Sequence, residues 1–127
     1  MLDVGYTLNY YVVQMARQKV APLGEFEQVV LLAVLRLDDN AYGVTIRKEI
    51  RECADRSPAP GALYNSLDRL EDKGMVTSRF GDPTPQRGGR PKRLFAVTPK
   101  GIEAISRAQS AYRRLMKDIT IPGVVHA

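Results

Sequence analysis

Apolar residues recur at helical intervals along most of the chain, and the breaks between those stretches mark its turns. Leu8, Tyr11, Val12 and Met15 fall at i, i+3, i+4 and i+7, which predicts a helix running to about residue 19. The alternation of Leu2, Val4, Tyr6 and Leu8 has the period of a strand, but Gly5 and the shortness of the run weaken that alternative. Ala21-Pro22-Leu23-Gly24 interrupts the pattern. From 25 to about 37, Phe26, Val29, Val30, Ala33, Val34 and Leu37 keep helical spacing, while Leu31, Leu32 and Leu35 make the helix apolar almost all round, as expected of a central element. After the polar stop Asp38-Asp39-Asn40, Ala41-Tyr42-Gly43 opens a third helix. It is expected to turn Val44, Ile46, Ile50 and Cys53 inward and Arg47, Lys48, Arg51 and Glu52 outward.

A turn with two prolines, 55–60, leads to a fourth helix whose buried stripe is Leu63, Leu67 and Leu70. Gly61, Asn65, Asp68 and Arg69 then project away from the core with Tyr64 on the flank, and Gly74 is the expected left-handed stop. Residues 75–80 and 93–98 read as antiparallel strands. Gly81, Pro83, Pro85, Gly88, Gly89 and Pro91 lie between them, a loop expected to be mobile when unbound. Thr98-Pro99 opens a last helix, threonine as cap and proline at the first position. Ile102, Ile105, Tyr112, Met116 and Ile119 trace one stripe along it, interrupted by Gln109. A helix after three helices and a hairpin has no obvious groove left within the chain, so it is expected to dimerise. Leu8, Tyr11, Val12 and Met15 of the first helix would share that interface. The fold class is mainly α with a small antiparallel β-hairpin: a winged helix-turn-helix over 23–98, an N-terminal helix over 1–22, a C-terminal dimerisation helix over 99–120 and a tail over 121–127.

Charge changes this picture by its position. The chain of 127 residues carries a formal +5, yet residues 75–100 hold six basic residues and one acidic, a net of +5, whereas residues 21–74 are net −3. The excess lies on the hairpin, where it favours an anionic partner. Cys53 is the only cysteine and His126 the only histidine, and there is no phosphate-binding loop. No disulfide, metal constellation or cofactor is therefore expected, and an enzyme is disfavoured. The longest apolar run, Val29 to Leu35, is too short to span a membrane, and the N-terminus lacks the pattern of a signal peptide, so a cytoplasmic protein is expected.

Four segments in order carry a family resemblance: Ala41-Tyr42-Gly43, Pro60-Gly61-Ala62-Leu63-Tyr64, Leu67-Asp68-Arg69-Leu70-Glu71-Asp72-Lys73-Gly74, and Leu94-Phe95-Ala96-Val97-Thr98-Pro99-Lys100-Gly101. Over about residues 23–117 the chain resembles the PadR-type transcriptional regulators, bacterial winged-helix repressors. The resemblance implies a homodimer on an operator, in a short version with one C-terminal helix. Two features depart from the family pattern. Ala59 and Ala62 stand where hydroxyl residues are usual, and Leu94-Phe95 replaces a Tyr-Tyr pair.

On this reading Arg87, Arg90, Lys92 and Arg93, with Gly88 and Gly89 between them, would neutralise phosphates of double-stranded DNA or enter its minor groove. Asn65 would read a base, since a side-chain amide can bond N6 and N7 of adenine. Gly61 belongs to the same contact surface, Tyr64 resembles the family's tyrosine near the DNA backbone, and Arg69 is a second candidate for phosphate or guanine. Asp68 and Asp72 would repel phosphate. Tyr6, Tyr10, Tyr11 and Tyr112 could line a pocket for a small aromatic effector, although plain interface packing explains them as well. The reading expects a repressor on a palindromic operator. The alternative is a winged-helix module whose basic wing meets an acidic protein.

Overall fold

The computed structural model describes residues 22–82 and 91–123. The elements are α1 (Glu25–Leu37), a single 3-10 turn (Asp38–Asn40), α2 (Gly43–Ala54), α3 (Pro60–Asp72), strands β1 (Val76–Phe80) and β2 (Arg93–Val97), and α4 (Pro99–Met116). The helix expected before residue 20 lies outside the described residues, as do 83–90 of the wing.

The core forms where the apolar stripes of α1, α2 and α3 converge. Val30, Leu31, Ala33 and Val34 of α1 meet Ile46 and Ile50 of α2 and Leu63, Leu67 and Leu70 of α3, with Met75, Val76 and Phe95 of the hairpin closing one side. Full burial of a leucine, isoleucine or valine side chain contributes roughly 1.5–3 kcal/mol. Contacts among these residues therefore fix the mutual angles of the helices. The helix α1 is not enclosed all round, since Leu32 and Leu35 sit on an exposed side.

The hairpin is a two-stranded antiparallel sheet with Val76 opposite Val97, Ser78 opposite Phe95 and Phe80 opposite Arg93. Gly74 holds φ +75, the left-handed conformation that lets the chain leave α3 and enter β1 at once. A further tie joins the hairpin to the first half of the chain: Phe95 N donates to the carbonyl of Ala41 at 2.8 Å. Ala41 is fully buried there, so β2 is anchored beside the start of α2.

Thr98 joins the strand to the last helix with one side chain. Its hydroxyl donates to the Gly74 carbonyl at 2.6 Å and accepts from Gly101 N at 3.1 Å, capping α4 as its sequence predicts. Gly101 is required by proximity. A Cβ there would overlap the Met75 carbonyl oxygen and stand 2.7 Å from Val97 Cγ1.

Three expectations are corrected. Val44 and Cys53 do not face the core: Val44 is 59% exposed and Cys53 is also exposed, while Gly43, Ile46 and Ile50 make the buried stripe of α2. Val44 lies two residues from Ile46, which puts it across the helix from the stripe, and Cys53 sits in the last turn. Ile105 is not free for a partner chain, because it is 5% exposed and packs into the core; the first turns of α4 do fill a groove of their own chain. Lastly, α4 ends at Met116 and Asp118 takes φ 62, so Ile119 lies beyond the helix and not on its stripe.

Candidate nucleic-acid interface

The second helix of the helix-turn-helix pair, α3, begins at Pro60 with Ala59 as N-cap and no side-chain cap. Its first N–H groups therefore lack the oxygen that serine or aspartate supplies in this position. Because the leucines and Ser66 face inward, Gly61, Asn65, Asp68 and Asp72 line the opposite, solvent side. A Cβ on Gly61 would meet nothing within 4 Å, so packing within the chain does not require glycine there.

The two flanks of α3 differ. On one, Arg69 donates from Nη2 to the buried Ser66 Oγ at 3.2 Å, and Lys73 reaches across to Glu27 of α1 at 2.8 and 2.9 Å. Glu27 is only 7% exposed, and its Oε1 also accepts from Gly24 N at 2.9 Å. Burial alone would raise its pKa, but the hydrogen bonds from Lys73 and Gly24, with the charges of Lys73 and Arg69, outweigh burial and hold the carboxyl below its ordinary value. This pair ties the exit of α3 to the entry of α1.

On the other flank, Tyr64 is 40% exposed and lays its ring end against Gly43 at the start of α2. Any side chain on Gly43 would collide with the phenol, a constraint that Ala41-Tyr42-Gly43 carries in sequence but that only the packing explains. Tyr42, at the N-cap of α2, has the Lys92 ammonium 4.3 Å above its ring. That contact holds the wing root beside the entry of α2. Arg93 lies at the first position of β2, turned toward Asp68 and Glu71 of α3.

Thus Gly61, Tyr64, Asn65 and Arg69 come together on one surface of α3, with Lys92 and Arg93 at its edge. Arg87, Gly88, Gly89 and Arg90 lie outside the described residues, as do Tyr6, Leu8, Tyr10, Tyr11, Val12 and Met15. In α4, Ile102 and Tyr112 are exposed and Met116 is half-buried. Leu115, absent from the stripe read in sequence, is 75% exposed. With Pro22, Leu23, Ala104, Ala108 and Tyr112 it lines an open apolar groove of about 520 Å³. Cys53 donates to Glu49 Oε1 at 3.3 Å; that hydrogen bond is the main cause that pushes the thiol pKa up, which disfavours the reactive thiolate. Among the described residues there is no group of three metal-ligating side chains and no helix long and apolar enough to cross a membrane.

Comparison with known proteins agrees with this architecture. Residues 31–107 match the model of the transcriptional regulator PadR-like family. The transcriptional regulator Rv3488 of Mycobacterium tuberculosis is 30% identical over 84 residues, 65% of this chain and 72% of that protein. Among solved structures, a transcriptional regulator from Clostridium thermocellum superposes with TM-score 0.58 at 25% identity, covering 72% of this chain and 85% of the other. A PadR family transcription regulator from hypervirulent Clostridium difficile gives 0.60 at 25% identity, over 72% and 92%. The family match spans the whole run from the middle of α1 through the hairpin into α4, and this chain belongs to the PadR-like family of winged-helix transcriptional regulators.

Proposed function

We propose that this regulator works as a homodimer that represses transcription by occupying a palindromic operator on double-stranded DNA. The observation that carries the reading is the outward line of α3. Gly61 has open space around it, Asn65 follows one turn later, and the uncapped N–H groups of the helix start beside them. A helix N-terminus without its own cap accepts a phosphate readily, and glycine lets the DNA backbone approach closely. Asn65 reads a base edge in the major groove, with Tyr64 and Arg69 on either flank toward the backbone. Arg87, Arg90 and Lys92 neutralise phosphates from the wing and give the binding its dependence on salt.

The dimer is supported by α4, whose Tyr112 and Leu115 are left uncovered by the rest of the described chain. Two such faces meeting about a two-fold axis set the separation of the two α3 helices and hence of the operator half-sites. A planar aromatic effector that fills the groove beside Tyr112 would alter that separation and release the operator. Tyr6, Tyr10 and Tyr11 of the first segment complete the aromatic lining on this reading.

Selection of bound duplexes from a random library tests the reading. The expected result is a palindrome whose binding weakens steeply with salt. Failure to enrich any duplex, together with capture of an acidic protein by the basic wing, would replace it with the protein-interaction alternative.

A further inference from the structure

We propose that Arg93 is a positioning residue that locks the wing to α3 and masks the carboxylates of that helix, and not one of the phosphate contacts. The inference rests on the DNA-binding reading above and deepens it. Arg93 Nη2 donates to Glu71 Oε2 at 2.7 Å, Nη1 to Asp68 Oδ1 at 3.4 Å and Nε to Ser78 Oγ at 3.2 Å. Its guanidinium carbon sits 4.9 Å from the centroid of the Phe95 ring, which is itself buried. Ser78 Oγ in turn donates to the Glu71 carboxylate at 2.9 and 3.1 Å, closing the network.

All three nitrogens are thus engaged and one face of the plane is covered, so a phosphate would have to compete with two carboxylates for the fork. The partners come from three elements: Asp68 and Glu71 on α3, Ser78 on β1, and Phe95 on β2, the strand that carries Arg93. One side chain therefore sets the angle between α3 and the hairpin. It also faces Asp68, which lies on the outward line of α3 beside Asn65 and would otherwise repel phosphate. Lysine cannot reproduce this, because its single ammonium cannot span two carboxylates and a hydroxyl while stacking on a ring.

Two substitutions separate positioning from phosphate contact, read on a duplex selected from the random library. Glu71→Gln removes a negative charge near the DNA. If Arg93 contacts phosphate, freeing it raises affinity; if Arg93 positions the wing, affinity falls, by about tenfold on the scale of a network contact. Arg93→Lys keeps the charge. A phosphate contact survives that change, whereas a positioning role loses affinity with the slope of log K against log salt unchanged, since no phosphate pairing has been removed. Thermal unfolding accompanies both, and the losses must exceed what any fraction unfolded explains. Tighter binding by Glu71→Gln, or wild-type affinity in Arg93→Lys, overturns the proposal while leaving DNA binding intact. Wild-type protein that enriches no duplex overturns the function itself, and the clamp's role with it.

Discussion

In α3 the stripe of Leu63, Leu67 and Leu70 is wholly buried, whereas the stripe of α4 passes from buried Ile105 to Tyr112, exposed by half, with Leu115 beside it. Both helices are amphipathic and both join the hairpin through a well-defined terminus, α3 at its end and α4 at its start. The difference is what lies underneath. α3 packs against α1 and α2 and turns a polar face to solvent, while α4 buries Gly101 and Ile105 and leaves Tyr112 and Leu115 uncovered by the rest of the described chain. A helix completed within its chain can present chemistry outward; one left open presents apolar surface, the mark of an interface.

The sharpest way to break that contrast is Leu67→Ala. The cavity left in a fully packed site should cost about 2–5 kcal/mol in denaturant unfolding, and a loss below 1 would mean that α3 is not anchored as described. Next comes Gly101→Ala, at the point where α4 is still part of the core. The new methyl would overlap the Met75 carbonyl, and the expected loss is about 1–3 kcal/mol. A neutral effect would show that the start of α4 is loosely seated.

The α3 side can also be probed by acid. Glu27 has a folded pKa below its unfolded value, so the stability it contributes is present above the ordinary carboxylate value of about 4.3 and is lost as pH falls through the lowered folded value. Lys73→Ala should cost about 1–3 kcal/mol at neutral pH by leaving a buried carboxylate without its main donor, and should shift the acid-unfolding limb toward higher pH. An unchanged limb would mean that other carboxylates govern acid unfolding. Smallest in its effect on the isolated fold is Leu115→Ser, within about 0.5 kcal/mol when measured at low protein concentration. If two α4 faces associate, the wild-type unfolding midpoint rises with protein concentration and this variant flattens that rise. A wild-type midpoint independent of concentration would remove α4 as the dimer contact.

The elements themselves were legible because local rules agreed with the tertiary result. Pro60 and Gly74 bracket α3, Thr98 and Pro99 open α4, and the glycines and prolines between two short strand-like segments announce the hairpin. What escaped reading depends on residues distant in sequence. Lys73 and Glu27 are 46 positions apart, and Phe95 and Ala41 are 54; neither pairing has a periodic signature. In sequence Arg93 is one more basic residue on the wing, because its carboxylate partners on α3 lie 22 and 25 positions away. Ile105 and Tyr112 share one helical stripe, and periodicity has no term for where the underlying helix ends. Val44 is hydrophobic but out of phase with the stripe, since a residue two positions from Ile46 cannot share its face.

The bond from Phe95 N to the Ala41 carbonyl joins the hairpin to the entry of α2 across a long stretch of chain. An amide held in this way exchanges its proton with solvent deuterium only when the strand lifts away. The exchange rate of that single proton is therefore a clock for how often the hairpin detaches from the helices, and slowing of the clock on adding a duplex would report engagement of the wing without any label.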